Sequence, residues 1–398
     1  MTVGAELKNN EPALIVPKRE GRNMGVELFR AVAMLMVLYL HMTGQGGVLK
    51  ASEYLSTNYK IALFLQVMTY GSVNCYALIS GFANAKTEFK FRRFVYLWLE
   101  TAFLITAVNL VTHFLVPTVT VSKEGWLAGF FPLMCDGELW YFRAYFLLFA
   151  LLPILNKGLL ALKKWQHITM IVMLQMPTLF RLIVGKDHFV FGGGYSALWL
   201  VCMYVIGAYF RIHGAPRWAK PYVTLPAFFL FAGLAYIRKL IPEMQVDAGT
   251  LANTSKWYTE RNMLLSYLSP CMVVMSVMLL LFFMRLKIRN PVSCRVISAL
   301  GKATWGVFVI HVCQTFWSDT RFWEGFRVIA SYPAWRMILT FLGVGLGLYI
   351  VLSAVSILRG FLFDLLRIHK GINWLSDRLV GWFERKKTPD IPSAEEKM

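Results

Sequence analysis

The first apolar stretch of the chain, GVELFRAVAMLMVLYLHMTG, carries an acid, a guanidinium and an imidazole. In a helix, Arg30 and His41 lie within about 20° of one face and about 16 Å apart along the axis. Glu27 precedes Arg30 by three residues, so the two can pair. A lone histidine in an apolar helix is usually a structural group, whereas this aligned set favours a functional site. A neutral imidazole at that position can act as a general base.

A second group of candidates lies at the end of the second apolar stretch and directly after it. Ser80 and Gly81 are small, so they allow another helix or a ligand to approach closely. Lys90, Arg92 and Arg93 follow, where positive residues commonly flank a membrane helix. The same three side chains can also hold the phosphates of an anionic cofactor.

Five further residues are candidates for a supporting role. Glu100 is a carboxylate inside an apolar stretch and requires a partner. Glu138, Trp140 and Arg143 lie at the start of the fourth stretch. An aromatic belt at the membrane surface explains Trp140 but not Arg143, whose side chain can alternatively extend outwards to the surface. For His311, a structural hydrogen bond and a place in the site are equally good explanations.

The cysteines and histidines do not indicate a metal site. None of the six cysteines has CxxC spacing, and most lie in apolar stretches, which is typical of buried thiols. No cluster of histidine, cysteine and carboxylate has the spacing of metal ligands. We therefore expect no bound metal.

The composition indicates which elements position these residues. Of 398 residues, 57% are hydrophobic and 16% charged, whereas soluble domains average about 45–50% and about 25%. This excludes a cytosolic globular protein, a disordered chain and a disulfide-rich scaffold, and it predicts an all-α, polytopic membrane protein. Ten spans are predicted, at about residues 24–44, 62–83, 94–116, 139–156, 165–184, 194–212, 221–240, 262–284, 298–318 and 335–358.

The charge distribution predicts the orientation of these spans. If the N-terminus is cytoplasmic, the inner segments hold 27 Lys and Arg residues and the outer loops hold 11. This excess obeys the positive-inside rule and places both termini in the cytoplasm. Most of the net charge of +19 therefore reflects topology. No nucleic-acid partner is expected, since there is no aromatic-basic motif and no soluble domain to hold one.

The chain divides into four predicted segments. Residues 1–23 form a polar cytoplasmic tail, and residues 24–358 form the ten-helix membrane domain. Residues 359–387 alternate apolar and basic side chains, which predicts an amphipathic helix on the inner membrane surface in contact with anionic lipids. Residues 388–398 are expected to be disordered.

The motifs resemble the acyltransferase-3 family of integral-membrane O-acyltransferases. The first helix of that family carries an acidic residue, an arginine and, after ten intervening positions, a histidine, matched here by Glu27, Arg30 and His41. Its second helix ends in a Ser-Gly-aromatic turn followed by a basic cluster, matched by segments 80–82 and 90–93. The similarity continues in the same order over about residues 24–358.

One position departs from the pattern of the family. The family often has two arginines separated by two residues after the second helix. In this chain, Tyr96 stands at that spacing after Arg93, and the adjacent pair Arg92 and Arg93 is present instead.

The resemblance implies an acyl donor, usually acetyl-CoA, which arrives from the cytoplasm as a substrate and is not tightly bound. The implied acceptor is a hydroxyl of an exported glycan or a lipid-linked sugar, and the implied location is a bacterial plasma membrane. His41 is then the expected base, with Arg30 and Glu27 beside it. The donor is expected to contact Ser80, Gly81, Lys90, Arg92 and Arg93, and supporting or acceptor-side roles fall to Glu100, Glu138, Trp140, Arg143 and His311.

A transporter or flippase for a lipid-linked sugar or small solute is the alternative interpretation. It would use the same polar stripe as its path, although the sequence shows no paired halves of the kind that transporters often have. The acceptor, the acyl chain length and the oligomeric state are left open. A direct transfer and an acyl-histidine relay are both compatible with these residues.

Overall fold

The computed structural model describes residues 22–116, 118–134, 139–185, 187, 189–317 and 320–385. Over these residues the regular structure is helical and includes no strand, so the all-α prediction is confirmed. The C-terminal tail, nearly all of the N-terminal tail and Glu138 lie outside the described residues.

The described part of the chain forms a succession of α-helices joined by short connections. In chain order they are α1 (Met24–Thr43), α2 (Val48–Ala51), α3 (Thr57–Tyr70), α4 (Ser72–Asn84), α5 (Phe91–Leu115), α6 (Lys123–Phe130), α7 (Trp140–Ala161), α8 (Lys164–Val184), α9 (Ala197–His213), α10 (Pro221–Asp247), α11 (Lys256–Thr259), α12 (Pro270–Arg285), α13 (Pro291–Val312), α14 (Gln314–Trp317), α15 (Thr320–Glu324), α16 (Ala334–Leu365) and α17 (Ile368–Arg385).

Eight helical stretches in the described residues are long and apolar enough to cross a membrane, and α9 and α12 are shorter apolar helices. Together they occupy the positions of the ten predicted spans. The chain is therefore a multi-pass membrane protein. The count of ten spans and the cytoplasmic placement of both termini stay predictions.

Two helices begin at positions that differ from the predicted ones because capping residues set their starts. The helix α12 begins at Pro270, where the Ser269 side chain accepts the Cys271 N–H and proline lacks the N–H that a first turn cannot satisfy. The helix α13 begins at Pro291 in the same way, with Asn290 accepting two backbone N–H groups. Hydropathy alone does not detect these caps.

The last membrane helix extends beyond its predicted end. The helix α16 runs to Leu365, past the predicted boundary at residue 358, and α17 starts three residues later at Ile368. On α17, Ile372 is buried while Trp374 and Trp382 are exposed. This distribution is that of an amphipathic helix, and its contact with lipid stays a prediction.

The helix α1, which carries the Glu27–Arg30–His41 stripe, packs on α3, α4, α12, α13 and α16. Gly25 lets α12 approach closely, since a Cβ there would lie 2.0 Å from the Phe283 carbonyl oxygen. One turn later, the fully buried Phe29 ring stacks on the Phe283 ring with centroids 4.9 Å apart. The stripe therefore lies inside the bundle, where membrane proteins place polar residues that have a role.

Two membrane helices are interrupted, and both interruptions face the same region of the bundle. Gly71 separates α3 from α4, and Cys313 separates α13 from α14. At the first interruption, Ser276 on α12 donates a hydrogen bond of 3.0 Å to the Gly71 carbonyl oxygen, which also accepts the Cys75 N–H. Interrupted helices in membranes commonly line a ligand site.

The partner of the Glu100 carboxylate is Arg359, to which our sequence interpretation gave no role. Glu100 on α5 forms a buried ion pair with Arg359 on α16, which also donates to the Tyr96 hydroxyl at 2.7 Å. The pair joins two helices away from both cavities described below. A structural contact therefore explains Glu100, and a further role for it stays a prediction.

We expect substitution of one member of this pair to destabilise the fold. Glu100→Ala leaves a buried guanidinium unpaired, which costs about 3–5 kcal/mol. Thermal denaturation in detergent should show a lower midpoint for Glu100→Ala, and Glu100→Leu combined with Arg359→Met should recover most of it. An unchanged midpoint in Glu100→Ala would contradict the stabilising role of the pair.

Candidate functional site

One end of α1 opens onto a cavity of about 350 Å³, which we call the arginine cavity. Its lining includes the start of α1, the end of α4 and the end of α9. Its charged lining residues are Arg22, Glu27, Arg30, Arg93 and Arg211. Four guanidinium groups against one carboxylate make this a site for an anion, and arginine binds phosphate oxygens well.

The carboxylate of Glu27 organises the arginines at the start of α1. It is 5% exposed and lies 3.3 Å from Arg22 Nε and 3.5 Å from Arg30 Nη1. Gly301 on α13 leaves room for it, since a Cβ there would lie 2.9 Å from Glu27 Oε2. The predicted pairing of Glu27 with Arg30 is therefore present, with Arg22 as a second partner.

The beginning of α1 is fixed by its N-cap residue. The Asn23 side chain accepts the Val26 N–H at 3.1 Å and donates to the Met284 carbonyl oxygen of α12 at 3.2 Å. A cap of this kind both starts the helix and sets its position along the neighbouring helix. The mouth of the arginine cavity is thereby held in place.

The other end of α1 reaches a second cavity of about 260 Å³, which we call the histidine cavity. His41 lines it together with residues from α3, α4, α7 and α13. Its wall is rich in aromatic rings, among them Tyr70, Trp140, Tyr195 and Tyr267, with Trp140 and Tyr195 centroids 4.6 Å apart. Such a surface suits a ligand with flat apolar faces and polar edges.

His41 is held by a second histidine that comes from α13. His41 Nδ1 lies 3.0 Å from His311 Nε2, and His311 Nδ1 lies 2.6 Å from the Val307 carbonyl oxygen. The Trp317 ring meets His41 edge-on with centroids 4.9 Å apart. The interruption at Cys313 is what turns the chain so that Trp317 reaches His41.

The hydrogen-bond chain assigns the tautomers of the two neutral imidazoles. A carbonyl oxygen only accepts, so His311 Nδ1 carries the proton that it donates to Val307. His311 Nε2 is then an acceptor and His41 Nδ1 is its donor. His41 Nε2 is left with a lone pair, which is the form a general base needs.

The two cavities are neighbours along α1. Arg30 lines the arginine cavity and Met34, one helical turn later, lines the histidine cavity. Four residues correspond to about 6 Å along a helix axis. Tyr76, which lines the histidine cavity, donates a hydrogen bond of 3.0 Å to the Arg30 carbonyl oxygen. A ligand that occupies both cavities would therefore run along α1.

The residues predicted near the cofactor are distributed over several places. Arg93 lines the arginine cavity, and Lys90 lines only a small adjoining cleft. Arg92 instead points to Asn373 on α17, with 3.5 Å between Nη1 and Oδ1. Whether Lys90 and Arg92 contact a ligand stays a prediction.

Helix packing accounts for Gly81, which follows Ser80 on α4. A Cβ on Gly81 would lie 2.0 Å from the Tyr204 carbonyl oxygen of α9, so only glycine permits this contact. Gly207 of α9 is packed in the same way against Leu78. The Ser80 carbonyl oxygen accepts the Asn84 side-chain amide at 3.0 Å. Small residues at a helix interface are common in membranes, and a cofactor contact for this pair stays a prediction.

Of the residues at the start of α7, Trp140 lines the histidine cavity. Arg143, one turn later, is not among the lining residues of either cavity, and Glu138 lies outside the described residues. The structure therefore brings Trp140, His41 and His311 together. The acceptor-side roles of Arg143 and Glu138 stay predictions.

Our sequence interpretation missed Arg211 and Arg22 in the arginine cavity and the hydroxyl residues Ser72 and Tyr141 in the histidine cavity. Both arginines were counted as positive-inside residues, and their convergence arises from helix packing. Within the residues that the structure describes, no group of three or more His, Cys, Asp or Glu side chains could hold a metal ion.

Comparison with known proteins gives one family match. The acyltransferase-3 family model, described as an acyltransferase domain, matches residues 23–355, more than half of the chain. No curated protein and no solved structure matches the chain. The match includes every helix that lines the two cavities.

Proposed function

The chain belongs to the acyltransferase-3 family and is a membrane acyltransferase, and from this premise we propose that it moves an acyl group from acyl-CoA to a hydroxyl of a glycan or lipid-linked sugar. The donor is acetyl-CoA in this proposal, which makes the protein an O-acetyltransferase. The proposal places it in a bacterial plasma membrane, with the donor supplied from the cytoplasm.

This proposal rests on the placement of two cavities along α1, one lined by arginines and the other by aromatic rings. The arginine cavity fits the phosphates of CoA, since it offers several guanidinium donors. The histidine cavity fits a sugar, since its aromatic rings can stack on the faces of a pyranose. Arg30 and His41 are about 16 Å apart along the helix, a gap that the pantetheine arm of CoA can cover.

In the proposed reaction His41 acts as the base. Its Nε2 takes the proton of the acceptor hydroxyl while the hydroxyl oxygen attacks the thioester carbonyl carbon. The carbon–sulfur bond then breaks, and the CoA thiolate receives the proton from His41, so that free CoA and the acylated sugar leave. Because His41 returns to its starting form, this direct route needs no acyl-histidine intermediate.

His311 positions His41 in this scheme. Its Nε2 accepts the His41 Nδ1 proton at 3.0 Å, which orients the ring and stabilises the imidazolium when His41 is protonated. The Val307 carbonyl oxygen holds His311 in turn. The arrangement resembles the base-and-orienting-group pairs of hydrolases, with a second imidazole in place of the carboxylate.

We expect Arg211 to bind the donor. Loss of a hydrogen bond to a charged group costs about 1.5–3 kcal/mol, so Arg211→Gln should raise the KM for acetyl-CoA by about 10- to 150-fold. The kcat should change little, since this contact is far from the reacting atoms. Steady-state kinetics of the purified protein measures both constants.

Arg217→Gln is the matched control for that measurement. Arg217 is exposed and lies six residues further along, in the connection that follows α9, but it does not line the arginine cavity. Its replacement removes one positive charge without changing the lining. Equal KM values for Arg211→Gln and the unmodified protein would contradict the role of Arg211.

The proposed function is tested by mass spectrometry of surface glycans from cells with and without the gene. We expect the glycans of the deletion strain to lack one acyl group per modified sugar, and the mass difference identifies the acyl chain. Identical glycan masses would contradict the proposal. Uptake of a lipid-linked sugar by proteoliposomes, without acyl transfer, would favour the transporter alternative.

A further inference from the structure

The histidine cavity contains two buried hydroxyl groups for which no described residue is a hydrogen-bond partner. Ser72 is 0% exposed and Tyr141 is 7% exposed, and both line the cavity together with His41. Neither Ser72 Oγ nor Tyr141 Oη is hydrogen-bonded to the described part of the chain. A buried hydroxyl without a hydrogen-bond partner lowers the free energy of unfolding by about 1–3 kcal/mol, so two of them in one cavity require an explanation.

Two other hydroxyl groups of this cavity are hydrogen-bonded to backbone. Tyr76 donates to the Arg30 carbonyl oxygen at 3.0 Å, and Thr304 donates to the Gly301 carbonyl oxygen at 3.0 Å. The first bond is to the backbone of α1 and the second is to the backbone of α13. Ser72 and Tyr141 differ from these two neighbours, because neither of their hydroxyl protons has an acceptor among the described residues.

The helix interruption at Gly71 adds a second source of positive potential. The helix α4 begins at Ser72, and Ser72 and Val73 of its first turn line the histidine cavity. The first N–H of α4 with a partner in its own turn is that of Cys75, which donates to the Gly71 carbonyl oxygen at 3.1 Å. The N–H groups before it, in the first turn of a helix, have no acceptor within that helix. The positive end of the α4 dipole therefore lies at the cavity wall, where it stabilises negative charge.

We infer that Ser72 and Tyr141 are the donors that bind the carbonyl oxygen of the acyl group during transfer. This inference rests on the proposed function. When the acceptor oxygen attacks, the carbonyl carbon becomes tetrahedral and its oxygen gains a negative charge. The Ser72 and Tyr141 hydroxyls donate to that oxygen while the acceptor proton moves to His41 Nε2. The carbonyl re-forms as the carbon–sulfur bond breaks and the thiolate takes the proton from His41.

The two hydroxyls come from different helices, which defines the geometry of the site. Ser72 opens α4 and Tyr141 lies in the first turn of α7. Tyr141 is kept in place by rings on either side, with Tyr145 stacked at 6.0 Å and Phe308 edge-on at 5.6 Å between centroids. A rigid pair of donors costs little reorganisation when charge develops, which is the property an oxyanion site needs.

The test compares Tyr141→Phe and Ser72→Ala with the unmodified protein in a steady-state transfer assay from acetyl-CoA to glycan isolated from the deletion strain. Removing one donor of an oxyanion site lowers kcat by about 10²- to 10³-fold. We expect that loss for each variant, with the KM for acetyl-CoA within about twofold of its original value because ground-state binding is retained.

Matched controls separate this role from a packing defect. Thr178→Val removes a buried hydroxyl that donates within α8 to Gln175, and Thr69→Val removes a buried hydroxyl that donates within α3 to Leu65. Neither residue lines the histidine cavity. Both variants should retain the original kcat.

A spectroscopic measurement on the unmodified protein tests the inference even where a variant folds poorly. The carbonyl stretch of ¹³C-labelled acetyl-CoA, bound to the unmodified protein, should lie at lower frequency than in water, because donors polarise the bond. In Tyr141→Phe and in Ser72→Ala it should shift back towards the free value. An unshifted band in the unmodified protein, or full kcat in both variants, would overturn the inference. Absence of any transfer by the unmodified protein would instead refute the proposed function.

Discussion

Replacing His41 with alanine should abolish acyl transfer while the protein still folds in the membrane. A general base contributes about 10²- to 10⁴-fold to rate, and in this scheme His41 also returns the proton to the leaving thiolate. The loss should appear in kcat, since the arginine cavity that we expect to bind the donor lies at the other end of α1. A radiolabelled transfer assay with purified protein measures it.

The control for this variant is His113→Ala. His113 is exposed near the end of α5 and lines neither cavity, so its replacement should leave the rate unchanged. Binding of acetyl-CoA to His41→Ala, measured by calorimetry, should remain. If His41→Ala transfers acyl groups as fast as the unmodified protein, His41 is not the base.

Loss of His311 should lower kcat by about 10²-fold or more, since groups that orient a catalytic histidine have effects of this size or larger. Without His311, the His41 Nδ1 proton has lost its acceptor at 3.0 Å, and the ring is free to turn. His311→Gln should recover part of the rate, because a glutamine carbonyl oxygen reaches about the position of Nε2 and can accept the same proton.

A double variant distinguishes positioning from a structural defect. If His311 acts through His41, then His41→Ala and His41→Ala with His311→Ala should have the same residual rate, because the second change has nothing left to disturb. An additive loss in the double variant would mean that His311 acts independently. An unchanged kcat in His311→Ala would remove it from the site.

Much of the fold could be predicted because membrane helices are recorded directly in hydropathy and charge. Long apolar stretches of about 20 residues appear at each span, and the helices of the structure occupy these positions. The errors lie at the ends. Ser269 and Asn290 set the true starts of α12 and α13 through side-chain caps, which hydropathy windows do not resolve.

Less of the site could be predicted, because helix periodicity reports only one helix at a time. It aligned Glu27, Arg30 and His41 on α1, and the structure places these residues along the two neighbouring cavities. It could not show that His311 reaches His41 from α13 or that Arg211 reaches the arginine cavity from α9. Such contacts depend on how the helices pack, which a single sequence does not record.

The proximity of the Ser72 and Tyr141 hydroxyls to one cavity could not be predicted from the sequence, for a similar reason. Ser72 and Tyr141 are 69 residues apart and have ordinary neighbours, and serine and tyrosine are common in membrane helices. Only the interruption at Gly71 and the packing of α7 against the same cavity bring their free hydroxyls together. The sequence signal at this position is Gly71 in the middle of an apolar stretch, which our sequence interpretation did not use.

Vectorial transfer in proteoliposomes that contain the purified protein in known orientation tests whether His41 moves the acyl group from a donor in the arginine cavity to an acceptor in the histidine cavity. Radiolabelled acetyl-CoA is supplied on the side of the arginine cavity, and unacetylated glycan from the deletion strain on the side of the histidine cavity. We predict label on the glycan with the unmodified protein and none with His41→Ala. Absence of label with the unmodified protein, or equal labelling by His41→Ala, would contradict the account.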